Sequence, residues 1–281
     1  MQPIDGAPDQ GGPLIRTAQD TALAARPPRH RTARAVFALV LREMSTTYGR
    51  SPGGYLWAVA EPVAAIALLS FAFSLAFRAP SLGDSFPLFY ATGYLPYMLF
   101  HDTAGRVATA VRFSRPLMNF GAVTWADILL ARFLLSVFTH VVIAILILVA
   151  LMPLADLSYV EDPLNLAGAM AMASLLALGV GSLNAYLFLA FPAWERVWTV
   201  LTRPLFIVSG VFFLFEDVPH EYRDLLWFNP LFHVTGAMRA GVYATYDGAH
   251  VSPAFVCATG LGLLVLGLLL MSRHASALIH K

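Results

Sequence analysis

The sequence predicts an all-α integral membrane protein with six transmembrane helices, an N-terminal amphipathic interface helix, and a re-entrant helical hairpin between spans 5 and 6. Hydrophobic residues make up 58% of the chain and charged residues only 12%, far from the usage of soluble domains. The apolar residues come in blocks of about 20, the length that crosses a hydrocarbon core. The stretch 216–247 is apolar but interrupted by proline and glycine. Such irregular backbone fits at membrane depth only where protein buries it or a watery cavity receives it.

The N-terminal region divides into a tail and a helix. Residues 1–28 are rich in Pro, Gly, Gln and Asp without an apolar core, so we expect a disordered cytosolic tail and no signal peptide. Between 29 and 48, apolar residues share one helical stripe, and arginines supply charge suited to an anionic inner leaflet. The stripe consists of Val36, Phe37, Val40, Leu41 and Met44. We favour a helix lying on the membrane over one docked on a partner, because a span follows directly.

Apolar blocks give the spans, and charge gives their orientation. The spans are predicted at about 55–77, 86–110, 127–152, 164–191, 197–215 and 253–271. Arginines concentrate beside one set of span ends, whereas the acidic segments 156–162 and 216–224 fall beside the other. By the positive-inside rule both termini are cytoplasmic and the broken stretch faces outward. The chain therefore divides into the tail at 1–28 and a transmembrane domain at 29–281.

Two local patterns concern packing rather than chemistry. Thr124 with Asp127 forms a capping-box pattern at the start of span 3, whose lone His140 reads as a structural residue. Span 4 carries small residues at a strict four-residue spacing, which lets helices approach closely. This small-residue stripe consists of Ala169, Ala173, Ala177, Gly181 and Ala185. It indicates tight packing, either within one chain or between subunits.

Span 2 carries the most informative helix face. Aromatic and polar side chains recur at i, i+4, i+7 and i+11, with an acid and a base close to that face. The row consists of Tyr90, Tyr94, Tyr97 and His101, with Asp102 and Arg106 beside it. An interfacial belt would explain the outer tyrosines, but the row continues roughly 10 Å deeper. A polar aromatic face inside the bilayer suits a pore lining for sugars, and a packing or belt role is the open alternative.

Motifs for catalysis and energy supply are missing from the sequence. Because Lys281 is the only lysine, a GxxxxGK[ST] phosphate-binding loop is excluded, and the HExxH motif is also absent. The single cysteine, Cys257, excludes an internal disulfide and a cysteine metal cluster. We therefore expect no metal or cofactor in this chain. Energy for uphill transport must come from a partner or an ion gradient.

Five segments, in order, resemble the membrane subunits of ABC-2 type exporters, specifically the capsular polysaccharide permease family. They are YGRS at 48–51 with GYLWA at 54–58 and EP at 61–62; FPLF at 86–89 with GYLPY at 93–97; NF at 119–120 through VT at 123–124 to Asp127; RPLF at 203–206 with SGVFF at 209–213; and NPLFH at 229–233 with Arg239 and Gly241. The long N-terminal tail and the near-complete replacement of lysine by arginine depart from the family pattern.

The resemblance implies a permease rather than an enzyme, forming a homodimer with a channel at its centre. A separate homodimeric ATPase would bind ATP and Mg²⁺ on the cytosolic face. The cargo would be a lipid-linked, acidic capsular polysaccharide, exported through a bacterial inner membrane to a periplasmic co-polymerase or adaptor and an outer-membrane exporter. Within the channel, Arg106 would offer charge to acidic sugars.

The resemblance also implies roles for two segments. A cytosolic coupling segment between spans 2 and 3 would comprise Arg112, Arg115, Pro116, Asn119, Phe120 and Thr124. Periplasmic gate helices at 217–247 would use Trp227, Phe228, Asn229, Pro230, Phe232 and Arg239. The open alternatives are an ABC-2 permease for O-antigen, teichoic acid or another glycan, a membrane-embedded transferase, and an ion-coupled carrier. For the broken stretch, the alternative to a gate is an inert hairpin that anchors span 6.

Overall fold

The computed structural model describes residues 31–47, 53–118, 123–157 and 159–279, and within these ranges the chain forms nine α-helices and no strand. The helices are α1 (Arg31–Thr47), α2 (Gly54–Ser74), α3 (Phe86–Met118), α4 (Trp125–Leu151), α5 (Pro163–Ala190), α6 (Pro192–Val208), α7 (His220–Trp227), α8 (Pro230–Val242) and α9 (Pro253–Ile279). A short 3-10 turn at Pro153–Ala155 follows α4. The all-α prediction is confirmed for this part of the chain, and the predicted tail at 1–28 lies outside the described residues.

Four of the described helices are long and apolar enough to cross a membrane. They are Leu56–Ser74, Trp125–Leu151, Pro163–Ala190 and Pro253–His274, which correspond to predicted spans 1, 3, 4 and 6. The helices at predicted spans 2 and 5 do not meet this requirement of length and apolar composition. Polar and charged residues interrupt the 33-residue α3, and α6 has only 17 residues, three of them charged. By length and composition alone, the structure therefore supports four spans rather than the predicted six.

Helices α3 and α5 form the centre of the fold. Helix α5 packs against α3, α8 and α9, while α4 packs against α3 on another side. The alanines of the small-residue stripe are completely buried, and a Cβ added at Gly181 would lie 2.7 Å from the Cβ of Val107 on α3. The stripe therefore serves packing within one chain. On a different face of α5, a Cβ added at Gly267 of α9 would lie 2.6 Å from the backbone nitrogen of Leu183.

Helix α1 is present where the amphipathic pattern predicts a helix, and one side of it lies on α4. Val36 is buried in this contact, and Glu43 forms an ion pair with Arg132 of α4 at 3.2 Å. Phe37 and Leu41 remain 65% and 51% exposed on the other side. The predicted stripe is therefore divided between a face packed on the protein and an exposed apolar face.

The fifth apolar segment differs most from its predicted bounds of 197–215. Helix α6 already begins at Pro192, where a proline costs nothing because the first helical turn has no intrahelical partner for its N–H. The helix thus starts five residues before the predicted span. The helix ends at Val208, and Gly210 follows with a left-handed φ of 77°, a conformation that favours glycine. Residues 209–219 are consequently non-helical.

Candidate functional site

A cavity of about 580 Å³ lies between α3 and α6. Its α3 wall consists of residues four apart, which places them on one helix face. The lining residues are Tyr97, His101, Gly105 and Thr109 of α3, Phe188 of α5, and Glu195, Trp198, Thr199, Thr202, Arg203 and Phe206 of α6. Aromatic rings, hydroxyl groups, a carboxylate and a guanidinium group therefore line one space.

The structure divides the predicted aromatic row of α3 into two parts. Tyr97 and His101 line the cavity, with their rings stacked at 5.7 Å, and the Tyr97 hydroxyl donates to the carbonyl oxygen of Thr202 at 3.3 Å. Tyr90 is instead buried in an aromatic cluster with Phe73, Phe86, Phe89 and Phe212. Tyr94 lies between these parts, half-buried and edge-on to Phe206.

Asp102 of α3 contacts α4 rather than lining the cavity. Its carboxylate lies 3.1 Å from Nε2 of His140, while Nδ1 of the same ring lies 2.8 Å from the carbonyl oxygen of Ser136. The imidazole ring therefore bridges the carboxylate of α3 and the backbone of its own helix, α4. This pair was missed by sequence reasoning, because the two residues lie 38 positions apart on different helices. Arg106 is half-buried and is also outside the cavity lining.

An ion pair joins α3 and α6 at the end of the cavity. Arg112 donates from Nη1 and Nη2 to the two carboxylate oxygens of Glu195, at 2.6 and 3.0 Å. These hydrogen bonds raise the pKa of Arg112 and lower the pKa of Glu195. The side chains are 42% and 37% exposed, so the pair stabilises the fold by only about 0–1 kcal/mol. The ion pair holds this end of α3 next to the first turn of α6.

The predicted coupling residues lie around the connection from α3 to α4. Arg115 and Pro116 belong to the last turns of α3, while Asn119 and Phe120 lie outside the described residues. Thr124 caps α4, accepting from the Asp127 backbone N–H at 3.2 Å, and its own N–H donates to the Asp127 carboxylate at 2.9 Å. The predicted capping box is confirmed, which gives Thr124 a structural explanation.

The broken stretch after α6 forms two short helices, α7 and α8, as the sequence predicts. Asn229 caps α8 by accepting the Leu231 backbone N–H at 3.1 Å, and Pro230 occupies the first helical turn. Helix α8 is buried from Leu231 to Arg239, whereas α7 has no buried residue. The hairpin formed by α7 and α8 therefore has one helix inside the protein and one at its surface.

Aromatic residues of this hairpin occupy different environments. Phe228 is 68% exposed at the corner, whereas Phe232 is buried. Trp227 stacks on Phe255 of α9 at 5.0 Å and meets the ring of His233 edge-on. The three predicted aromatic gate residues therefore do not share one apolar surface.

Arg239 of α8 is the largest fully buried side chain in the described part of the protein. Its guanidinium lies 4.4 Å from the Phe89 ring centroid and donates to the carbonyl oxygens of Phe213 and Val211 at 3.0 and 3.2 Å. Burial lowers its pKa to about 10, so the group remains a cation at neutral pH. A permanent charge is thus held inside the protein by backbone oxygens and a ring face.

Comparisons with known proteins are consistent with this architecture. The family model for the ABC-2 type transporter matches residues 34–243. The chain is 29% identical to the polysialic acid transport protein KpsM of Escherichia coli over 244 residues, covering 87% of this chain and 95% of that protein.

Two further relatives carry capsule-related names. The capsule polysaccharide export inner-membrane protein CtrC of Neisseria meningitidis serogroup B is 25% identical over 244 residues, which cover 86% of this chain and 91% of CtrC. The protein of the same description from Haemophilus influenzae, BexB, is 25% identical over 248 residues, again covering 86% and 91%. The family model covers most of the sequence, including the cavity and the hairpin, and the chain therefore belongs to the ABC-2 type transporter family of membrane proteins.

Proposed function

We propose that this chain is the permease subunit of an ATP-driven exporter that moves lipid-linked capsular polysaccharide across the bacterial inner membrane. The observation that carries this proposal is the cavity between α3 and α6, in a chain whose relatives are named for polysialic acid transport and capsule polysaccharide export. ATP and Mg²⁺ would bind a separate homodimeric ATPase. A permease for O-antigen, teichoic acid or another glycan is the second candidate.

The cavity has the chemistry to bind a sugar chain. The rings of Tyr97, His101 and Trp198 offer flat apolar surfaces for the C–H faces of sugars, while Thr109 and Thr199 offer hydroxyl groups. Arg203 lines the same space and Arg106 lies near it on α3, so both would attract acidic sugars. Tyr90, Tyr94 and Asp102 would hold this wall in place through the aromatic cluster and the contact with α4.

The proposal includes an arrangement in the membrane. Helices α3 and α6 would cross together with the four apolar helices, giving six spans with both termini in the cytoplasm. The hairpin of α7 and α8 would enter the outer leaflet as a re-entrant gate. A second copy of the chain would complete the channel, and a periplasmic co-polymerase or adaptor and an outer-membrane exporter would receive the polymer.

The connection from α3 to α4 would receive the motion of the ATPase. Arg112, Arg115 and Pro116 lie at the end of α3, directly beyond the cavity wall, and Asn119, Phe120 and Thr124 follow in sequence. The ion pair of Arg112 with Glu195 supports this role, because it links that end of α3 to α6. Charge reversal at Arg115 should weaken association with the ATPase, measured by co-purification.

Gly105 offers a direct test of the cavity. A Cβ added there has no heavy atom within 4 Å, so a substituted side chain starts in open space at the cavity wall. Gly105→Trp should abolish surface polysaccharide and leave polymer in the cytoplasm at unchanged permease abundance, whereas Gly105→Ala should export normally. Gly168→Trp on α5 is the matched control, because its Cβ also has no neighbour within 4 Å and it does not line the cavity. Full export by Gly105→Trp would refute the cavity as the route.

The gate and the anchor explanations of the hairpin are distinguished at Pro230. The helix would tolerate Pro230→Ala, since the first turn needs no intrahelical N–H donor. Reduced export at normal abundance would favour a gate whose corner must be rigid, and unchanged export would favour an anchor.

A further inference from the structure

The backbone between α6 and the hairpin poses an energetic problem. The last carbonyl groups of a helix have no intrahelical partner, and residues 209–215 continue in non-helical backbone. Within this segment Ser209 and Val211 are completely buried. Buried carbonyl oxygens without a partner are costly, especially at membrane depth where water is scarce.

Side chains of the hairpin supply the missing donors. Asn229 donates from Nδ2 to the carbonyl oxygen of Val208 at 2.7 Å. Thr235 Oγ1 lies 3.0 Å from the carbonyl oxygen of Ser209 and 3.0 Å from that of Phe232 on its own helix, so its one proton is shared between these two acceptors. Arg239 donates to two more carbonyl oxygens of the segment, those of Val211 and Phe213. Four carbonyl groups of the segment 208–213 are therefore bound by three side chains that start at the corner of the hairpin and continue along α8.

The hydrogen-bond partners of Arg239 indicate the role of this buried cation. In the described part of the chain its hydrogen bonds go to backbone oxygens and none goes to a carboxylate. Helix α3 closes over the contact at Gly93, where an added Cβ would lie 2.9 Å from Cα of Val211 and 3.3 Å from Nη2 of Arg239. A buried charge without a carboxylate partner persists only where hydrogen bonds hold it. Its partners here are the carbonyl groups of the connecting segment.

We propose that Asn229, Thr235 and Arg239 are positioning residues that join the segment 208–213 to the hairpin, so that both move as one unit. We call these three side chains the clasp. The inference rests on the proposed function for its consequence in transport. Because α6 forms one wall of the cavity, outward movement of the hairpin then displaces that wall. Because Asn229 itself binds the carbonyl oxygen of Val208, the corner at Asn229–Pro230 is fixed to the end of α6.

Two substitutions remove clasp donors while preserving the rest of the structure. Asn229→Asp keeps the oxygen that caps α8 and replaces the amide donor with an acceptor facing Val208. Thr235→Val keeps the shape of the side chain and removes its hydroxyl group, while Thr235→Ser restores the donor. Each lost hydrogen bond should speed local opening by roughly 2- to 12-fold.

The measurement is amide hydrogen exchange on the full chain assembled with its ATPase in lipid nanodiscs. In Asn229→Asp and Thr235→Val, exchange should accelerate in 209–215 and in 230–242 together, and Thr235→Ser should match the unaltered protein. Acceleration in only one of the two segments, or in neither, would overturn the clasp. Arg223→Met is the matched control, because Arg223 binds the carbonyl oxygens of Val218 and Glu216 and lies over the ring of Phe215, outside the clasp. Its changes should be confined to 215–223 and leave exchange in 209–213 and 230–242 unaltered.

Surface polysaccharide in the same variants separates the clasp from the proposed function. Faster exchange in both segments together with reduced export supports the clasp and the gate role of the hairpin. Joint acceleration with unimpaired export supports the clasp and refutes the gate role of the hairpin. Reduced export without accelerated exchange refutes the clasp and leaves the gate role standing.

Discussion

The close contact of α5 with α9 makes a sharp prediction for Gly267→Ala. An added Cβ at this position would lie 2.6 Å from the nitrogen of Leu183, 2.7 Å from the carbonyl carbon of Ser182 and 2.9 Å from Cα of Leu183. All three neighbours are backbone atoms, so no rotamer change relieves the contact. Because carbon atoms pack best at about 3.5–4.0 Å, the two helices must separate by about 1 Å.

The size of the effect follows from a matched glycine on the same helix. Inserting a methyl group into a filled contact costs about 1–3 kcal/mol. Replacing glycine by alanine also changes the intrinsic helix preference by about 1 kcal/mol in the opposite direction. At Gly262 an added Cβ has no neighbour within 4 Å. Gly262→Ala therefore changes the helix preference without creating a steric overlap. The free energy of unfolding should therefore be about 1–3 kcal/mol lower for Gly267→Ala than for Gly262→Ala.

Thermal unfolding of the two purified variants in the same lipid mixture measures this difference, and membrane abundance in cells provides a second readout. Gly267→Ala should unfold at a lower temperature and accumulate to a lower level than Gly262→Ala. Equal unfolding temperatures would show that the α5–α9 contact adjusts without loss, and would refute the reasoning from backbone proximity.

Three further predictions concern the ends of helices and the residues in and beside the hairpin of α7 and α8. Thr124→Ala should lower the free energy of unfolding by about 1 kcal/mol, whereas Thr124→Ser should retain the cap of α4; equal losses in thermal unfolding would contradict a capping role. Glu195→Arg should reduce export by placing two cations together, and adding Arg112→Glu should restore it; without restoration, the ion pair has no role in transport. Burial lowers the pKa of His233 and His250 below 6.5, so the stability they confer is present above pH 6.5 and is lost as pH falls through the lowered values. Melting temperatures at pH 7.5 and 5.5 should show this loss, and His250→Phe should reduce it.

Periodicity and composition predicted much of the fold. Four of the six apolar blocks, the small-residue stripe, the capping box at Thr124 and the break at Asn229–Pro230 depend on local sequence, and each is found in the structure. The small-residue stripe predicted close helix packing but not its partner, because a helix face does not encode what it meets. The structure identifies that partner as α3 of the same chain.

The missed features depend on residues distant in sequence. Arg112 and Glu195 lie 83 positions apart, and no spacing rule relates them. Likewise, the row of tyrosines on α3 shares one helix face, yet Tyr90 is buried against Phe212 while Tyr97 reaches the cavity. The difference arises because α6 ends at Val208, and the irregular segment after it covers only the part of that face near Tyr90.

The length of α3 has a mechanical consequence for the transporter. At a rise of 1.5 Å per residue, its 33 residues form a rod of about 50 Å, roughly 20 Å longer than a hydrocarbon core. A tilt of about 5° around the middle of such a rod moves each end by about 2 Å, a shift of the size seen in helix rearrangements of switching proteins. Tyr97 and Arg112 both lie between the two prolines of α3, Pro96 and Pro116, so the helix that joins them is uninterrupted and carries a push near Arg112 to the ring that borders the cavity.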